Sequence, residues 1–283
     1  MTGLDPREVR RAVRAALRED LGRGDLTSIA LVAPRAQARA VLRAREPLVL
    51  AGLDFAVEAF RLRSPAVRVR PCVRDGESVP AQAVLLEVDG PARALLSAER
   101  VALNFVQRLS GIATHTARFV RAVAGTGARI LDTRKTTPGW RTFEKYAVRC
   151  GGGHNHRFGL HDLILIKDNH LRMLQGASPN PVAAAVARAR QRWPGLEVEV
   201  EADTLEQVDQ ALAAGADRIL LDNFTLPDLR EAVRRVAGRA RLEASGGINL
   251  DNVRAVAETG VNDISVGALT HSAPAVDIGL DFL

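Results

Sequence analysis

Only three lysines stand among the chain's 39 lysine and arginine residues, and all three (Lys135, Lys145 and Lys167) fall between positions 135 and 167. In an arginine-rich background, a retained lysine marks a place that wants a compact ammonium instead of a planar guanidinium fork. The same stretch carries His154, His156, His161 and His170, a Gly-Gly-Gly run and the dipeptide Arg134-Lys135. Lys145 taken alone reads equally well as part of a solvated basic loop. Carboxylates come next: Glu197, Glu199 and Glu201 alternate in LEVEVEA, and Asp222 closes ILLD. Small residues follow, Ser245-Gly246-Gly247 and then Gly267-Ala268, whose backbone N–H groups can approach an anion. Cations facing carboxylates and a backbone phosphate cradle suit a phosphorylated sugar that reacts with a second anionic partner. The carboxylates would serve Mg²⁺ or a sugar diol.

These groups need elements to place them. From about residue 128 the chain repeats a short apolar strand ending in polar residues and then an amphipathic helix. The strands read ARILDTRK, DLILIKDN, LEVEVEA, DRILLDNF, ARLEASGG and DISVGA. Strands alternating with helices of this length form a parallel sheet, and six units ending in Gly-rich turns fit an α/β barrel. No GxGxxG follows a first strand, which argues against a doubly wound nucleotide fold. Residues 1–110 read differently, as an α+β domain with strands in ARAVLRARE, AVRVRPCVRDGE and PAQAVLLEVDG. Its first helix starts near Pro6 and buries Leu4, Val9, Val13, Ala16 and Leu17. The barrel is expected over 111–271. The last residues, 272–283, break the rhythm and are free to return to the first domain.

Barrel chemistry gathers at the C-terminal ends of the strands. Those positions hold Asp132, Thr133, Arg134 and Lys135; Lys167, Asp168 and Asn169; Glu199 and Glu201; Asp222 and Asn223; Ser245 to Gly247; and Gly267. The alternating glutamates share one strand face, and an inward face is expected because the intervening Val198 and Val200 belong under the helices. Asp222 could cap the next helix, but Thr225 is better placed to do so, which leaves Asp222 for a metal or a hydroxyl.

Composition excludes several classes. The net charge is +6, yet the arginines are spread along helices, and one Tyr with two Trp offers little for base stacking, so no nucleic-acid partner is expected. No apolar run reaches membrane-span length, and the N-terminus has neither the apolar core of a signal peptide nor the acid-poor character of a transit peptide. Two cysteines point to a reducing cytoplasm.

The segments LNFVQRLSGIATHT, LDTRKTTPGWRTFEKYAVRCGGGHNHRFGL, LILIKDNH, EVEVEA, ILLDNF, ASGGI and SVGAL occur in this order and closely resemble the quinolinate phosphoribosyltransferase family. The resemblance implies an N-terminal sandwich-like domain, an incomplete α/β barrel and at least a homodimer. It also implies transfer from 5-phosphoribosyl-1-diphosphate to quinolinate with Mg²⁺, giving nicotinate mononucleotide, CO₂ and diphosphate in NAD biosynthesis. Thr133, Arg134, His156, Arg157 and Lys167 would bind quinolinate, and Arg100 would reach the site of the neighbouring subunit. Lys135 would contact the donor, with Glu199 and Asp222 serving Mg²⁺ and the ribose hydroxyls. Ser245, Gly246, Gly247, Gly267, Ala268 and His271 would cradle the 5-phosphate. Whether Glu199 or Glu201 is the main catalytic carboxylate stays open at this stage.

The residues give this chemistry its reasons. Arginine forks match carboxylates bidentately, and carboxylates stabilise the positive charge that builds on the ribose as the C1–diphosphate bond breaks. Two enzymatic rivals are a molybdate-transport-associated paralogue with another acceptor and a nicotinate phosphoribosyltransferase. A non-catalytic, Arg-rich nucleic-acid binder is the rival of a different class, and would show steep salt dependence.

Overall fold

The computed structural model describes residues 3–283. Its helices and strands divide into two compact units. The first takes residues up to Ala117, Thr137–Gly152 and Ser272–Leu283; the second takes Arg118–Thr136 and Gly153–His271.

The first unit opens with α1 (Pro6–Leu21), where Asp5 caps the helix by accepting the Arg7 N–H, Pro6 sits at the first helical position and Val9, Val13 and Leu17 are buried. Then come α2 (Leu26–Leu31), β1 (Gln37–Ala44), β2 (Leu48–Val49), α3 (Leu53–Arg63), β3 (Arg68–Pro71), β4 (Ser78–Val79), β5 (Val84–Pro91) and the long α4 (Ala92–Ala122). Helix α5 (Arg141–Cys150) and β12 (Ile278–Phe282) complete it. Strand β12 pairs antiparallel with β1, which also pairs with β5, giving a sheet in the order β12-β1-β5-β3. The core is apolar and aromatic: Phe55 stacks on Phe105, which in turn stacks on Trp140.

The domain limits differ from the sequence expectation in two ways. A single helix of 31 residues, α4, runs across position 110, the expected limit of the first domain. Gly111 lies inside it for packing: a Cβ there would sit 2.1 Å from the Pro274 carbonyl oxygen, so only glycine lets the returning C-terminal segment approach. The second difference is residues 137–152, which group with the first unit. Lys145 lies on α5 and is 3% exposed, so it is a buried residue and not part of a solvated loop.

The second unit holds β6 (Arg129–Leu131), β7 (Ile164–Ile166), α6 (Asp168–Arg172), α7 (Pro181–Arg192), β8 (Val198–Ala202), α8 (Leu205–Ala213), β9 (Arg218–Asp222), α9 (Leu226–Val236), β10 (Arg241–Ser245), α10 (Val253–Ala257), β11 (Asp263–Ser265) and α11 (Ala268–His271). Six parallel strands form one sheet in the order β6-β11-β10-β9-β8-β7. Strands β6 and β7 are consecutive in sequence yet occupy opposite edges, which is the signature of an incomplete barrel. His154 lies against the outer edge of β6, bridging in parallel to Leu131. Thr225 caps α9 as expected, and Asn180 and Thr204 cap α7 and α8 in the same way, each accepting a first-turn N–H.

Candidate active site

Alternation along β8 decides which side chains reach the barrel interior. Every residue of the strand is buried, with Val198, Val200 and Ala202 on one face and Glu199 and Glu201 on the other. Helices α7 and α8 pack on this strand, and the glutamate face meets groups from other strands. Glu197 precedes the strand, is exposed, and pairs with Arg218 Nε at 3.0 Å near the opposite end of the sheet. It therefore stands apart from the other two. Register then separates Glu199 from Glu201: Glu201 lies beside Leu220, and Glu199 one pleat lower beside Arg218.

A cavity of about 440 Å³ opens at the C-terminal ends of these strands. Thr133, Arg134 and Lys135 line it from the end of β6, with His156 and Arg157 next and Lys167 from the end of β7. Glu201, Asp222 and Ser245 line it from β8, β9 and β10. Seven strand-end residues of the sequence reading thus meet in one volume, whereas Asp132, Asp168, Asn169, Asn223, Gly246, Gly247 and Gly267 do not line it. Glu199 does not line it either: its side chain is fully buried, with Oε2 2.9 Å from His156 Nε2. Glu201 takes the wall position, ion-paired with Lys167.

Glu243 joins the site without having been anticipated. It lies level with Leu220, as Glu201 does on the other side of β9, and its Oε2 is 3.3 Å from His156 Nε2. A signal was present in LEASGG, because residues 243 and 245 share a face and Ser245 points to the cavity.

The trio of His156, Glu199 and Glu243 is a charge problem in a buried place. Burial pushes the imidazole pKa down, while the two carboxylates pull it up, to about 10. Burial, together with the charge of Glu243, raises Glu199. The Arg157 N–H donates to His156 Nδ1 at 2.8 Å, so Nδ1 is an acceptor and Nε2 carries the ring proton. That geometry presents the Nε2–H to both carboxylates. It also disfavours a metal ion at this trio, since a metal on Nε2 needs the hydrogen on Nδ1.

The cationic wall is under opposite strain. The Nε of Arg134 is buried without a hydrogen-bond partner. Burial and then the charge of Arg134 hold Arg157 below the usual guanidinium range. Two crowded guanidiniums facing a cavity call for an anion between them.

The small-residue turns lie close by. Gly246 and Gly247 have φ of +92° and +61°, and a Cβ on Gly246 would come within 2.1 Å of Asn223 Oδ1. Gly267 is packed so that a Cβ would meet Lys135 Cδ at 3.0 Å and His271 Nε2 at 3.2 Å, which brings donor-side Lys135 and His271 to one turn. The Thr270 hydroxyl donates to the Lys135 carbonyl at 2.8 Å, and Ala268 opens α11 beside them. Arg100 is exposed on α4, in the other unit.

An open α/β barrel whose strand ends combine a crowded cation wall, inward carboxylates and two glycine turns defines an enzyme class that handles phosphorylated, multiply anionic substrates. Comparison with known proteins makes this specific. The model of the quinolinate phosphoribosyl transferase N-terminal domain matches residues 25–110, and that of the C-terminal domain matches 112–281. A nicotinate-nucleotide pyrophosphorylase [carboxylating] of Mycobacterium leprae is 47% identical over 280 residues, covering 96% of each chain. A probable enzyme of the same name from Bacillus subtilis is 45% identical over 264 residues, 93% of this chain and 89% of that one. The solved nicotinate-nucleotide pyrophosphorylase of Francisella tularensis superposes with a TM-score of 0.93 at 40% identity, covering 99% and 98%. The chain belongs to the quinolinate phosphoribosyltransferase family. A molybdate-associated acceptor finds no support among these relatives. Among the described residues, no helix is long and apolar enough to cross a membrane.

Proposed function

We infer that the chain transfers a phosphoribosyl group from 5-phosphoribosyl-1-diphosphate to quinolinate, with decarboxylation, as a nicotinate-nucleotide pyrophosphorylase of the carboxylating type. The observation that carries this reading is the partnerless, buried Arg134 Nε beside Arg157, His156 and Lys167 in one cavity. Two adjacent carboxylates on a pyridine ring answer that wall, with guanidinium forks taking them bidentately and Thr133 adding a hydroxyl. Lys135, Ser245, Gly246, Gly247, Gly267, Ala268 and His271 receive the phosphates of the donor.

The carboxylate next to the reacting ribose is Glu201 rather than Glu199. Glu201 lines the cavity, whereas Glu199 is enclosed beneath it against His156. With Asp222 it stabilises the positive charge developing at the ribose C1. Glu201 and Asp222 are oxygen donors on the cavity wall, which fits a hard cation, and they would hold Mg²⁺ together with the donor's diphosphate. When bound, that ion supplies charge neutralisation for the leaving diphosphate. Lys135 serves the same charge from the protein side. Transfer precedes CO₂ loss, because glycosylation makes the ring nitrogen cationic and able to accept the electrons left behind. The family's dimer, with Arg100 crossing to the neighbouring site, and a reducing cytoplasmic location complete the reading. Both Cys72 and Cys150 are free thiols.

The test is ¹³CO₂ release from carboxyl-labelled quinolinate with the donor and Mg²⁺, run beside Arg134→Ala. Release that needs all three components and fails in the variant supports the assignment. Diphosphate formation only with a different acceptor would keep the donor site and overturn the choice of quinolinate.

A further inference from the structure

Asp132 is fully buried, although it directly precedes the half-buried Thr133 and Arg134 and the exposed Lys135. A buried carboxylate at a strand end needs compensation. Asp132 finds part of it in the segment that follows the Gly-Gly-Gly run. One carboxylate oxygen accepts the backbone N–H of His156 at 2.9 Å, and the other accepts Asn155 Nδ2 at 2.5 Å. The backbone adds a second layer: the Asp132 N–H donates to the His154 carbonyl at 3.1 Å, and the His154 N–H donates to the Ile130 carbonyl at 2.8 Å. The next link, from the Arg157 N–H to His156 Nδ1, sets the tautomer of the ring that faces Glu199 and Glu243.

The strand-end cations and the His156–Arg157 pair come from segments more than 20 residues apart, with α5 between them. Without a tie, nothing in the sheet ladder would fix residues 155–157 against the end of β6, since the ladder stops at the His154–Leu131 bridge. We propose that Asp132 is the positioning residue of the acceptor site: it clamps residues 155–157 to β6, so that Arg134, His156 and Arg157 face one dicarboxylate at a fixed separation. It acts through these groups and does not itself touch the substrate. The proposal rests on the quinolinate reading and adds to it the residue that sets the spacing of the cation wall.

A carboxylate serves here because the His156 N–H and Asn155 Nδ2 are both donors. Alanine at 132 removes both acceptors. Asparagine keeps an oxygen for the His156 N–H and presents an amide to Asn155, whose own amide can turn to accept it. The experiment measures quinolinate binding by calorimetry, and KM for each substrate, in the wild type, Asp132→Ala, Asp132→Asn, Asn155→Ala and the double variant Asp132→Ala/Asn155→Ala. Loss of two hydrogen bonds to a charged acceptor predicts a quinolinate affinity roughly 10- to 100-fold weaker in Asp132→Ala. The donor KM is expected to stay within about twofold, as its phosphates rest on groups that Asp132 does not hold. Asp132→Asn should recover most of the loss. Asn155→Ala changes an exposed residue and tests the same clamp if Asp132→Ala does not fold; it should weaken quinolinate binding and spare the donor. The double variant should be no worse than Asp132→Ala alone. Folded variants with unchanged quinolinate affinity, equal weakening of both substrates, or strict additivity would overturn the positioning role. A wild-type protein that does not bind quinolinate would instead overturn the functional reading on which the proposal stands.

Discussion

The two ends of the barrel strands are built from the same residue types and differ in what they leave unfinished. At the N-terminal ends, Asp263 is buried and receives Arg129 at 2.7 Å and Arg241 at 2.9 Å, with Arg218 3.6 Å away and itself paired to Glu197. Burial pushes the Asp263 pKa up, but Arg129 and Arg241 more than offset this and hold it below the usual carboxylate range. At the C-terminal ends, Glu199 and Glu243 share the single ring of His156, Arg134 Nε has no hydrogen-bond partner, and cations and carboxylates line an open cavity. Charge is saturated at one end and held in reserve at the other. A saturated network stabilises a fold, whereas an unsaturated one waits for a ligand.

The sharpest test of this contrast sets Glu201 against Glu199. Replacing Glu201 by Gln should lower kcat by about 10²- to 10³-fold, as for other groups aimed at transition-state charge. Glu199→Gln should act less on kcat, because a neutral side chain still fits beside the His156 Nε2–H. Single-turnover kinetics would measure both, and equal effects would erase the distinction between wall and floor.

Asp263→Asn should cost about 2 kcal/mol of stability, since it removes the buried charge on which three part-exposed arginines converge, while leaving kcat near wild type. Denaturant unfolding beside steady-state assays checks this. The pH dependence has a definite sign. Asp263 has a depressed folded pKa, so its contribution is complete above the unfolded value of about 3.9 and fades as pH falls through the folded one. The gap in melting temperature between wild type and variant should therefore close in acid, and a gap that widened would refute the network.

Salt separates the ends more gently. Raising ionic strength to about 1 M shortens the screening length to about 3 Å, which should raise the donor KM severalfold. The arginines around buried Asp263 should feel it less, with little change in melting temperature. The smallest effect belongs to Glu197→Gln, which breaks an exposed pair and should cost under about 0.5 kcal/mol. A loss above 1 kcal/mol by chemical denaturation would show that Glu197 belongs to the buried network after all.

The sequence exposed the ends of strands better than their depths. Periodicity marked the six parallel strands, and their polar termini named Thr133 to Lys135, Lys167, Asp222 and Ser245, all of which line the cavity. Alternation gave the face of Glu199 and Glu201 but not their height, which depends on register against β9. Glu243 was legible only through its alternation with Ser245, a pairing that a lone acid inside an apolar strand does not advertise. Gly111 carries no sequence signal for the close backbone approach that it allows. Lys145 and Asp132 look solvated in a polar run, and only tertiary burial shows otherwise.

The first unit is assembled from three separate pieces of chain, of which α5 and β12 come after its own N-terminal core has been spelled out. During synthesis, β1 therefore leaves the ribosome with one edge unpaired, and that edge waits for the last dozen residues to arrive. A fragment ending at residue 110 would carry that open edge permanently and lack Trp140 from its aromatic stack. Synthesis of β12 is thus the moment at which the first domain to be translated can finish folding.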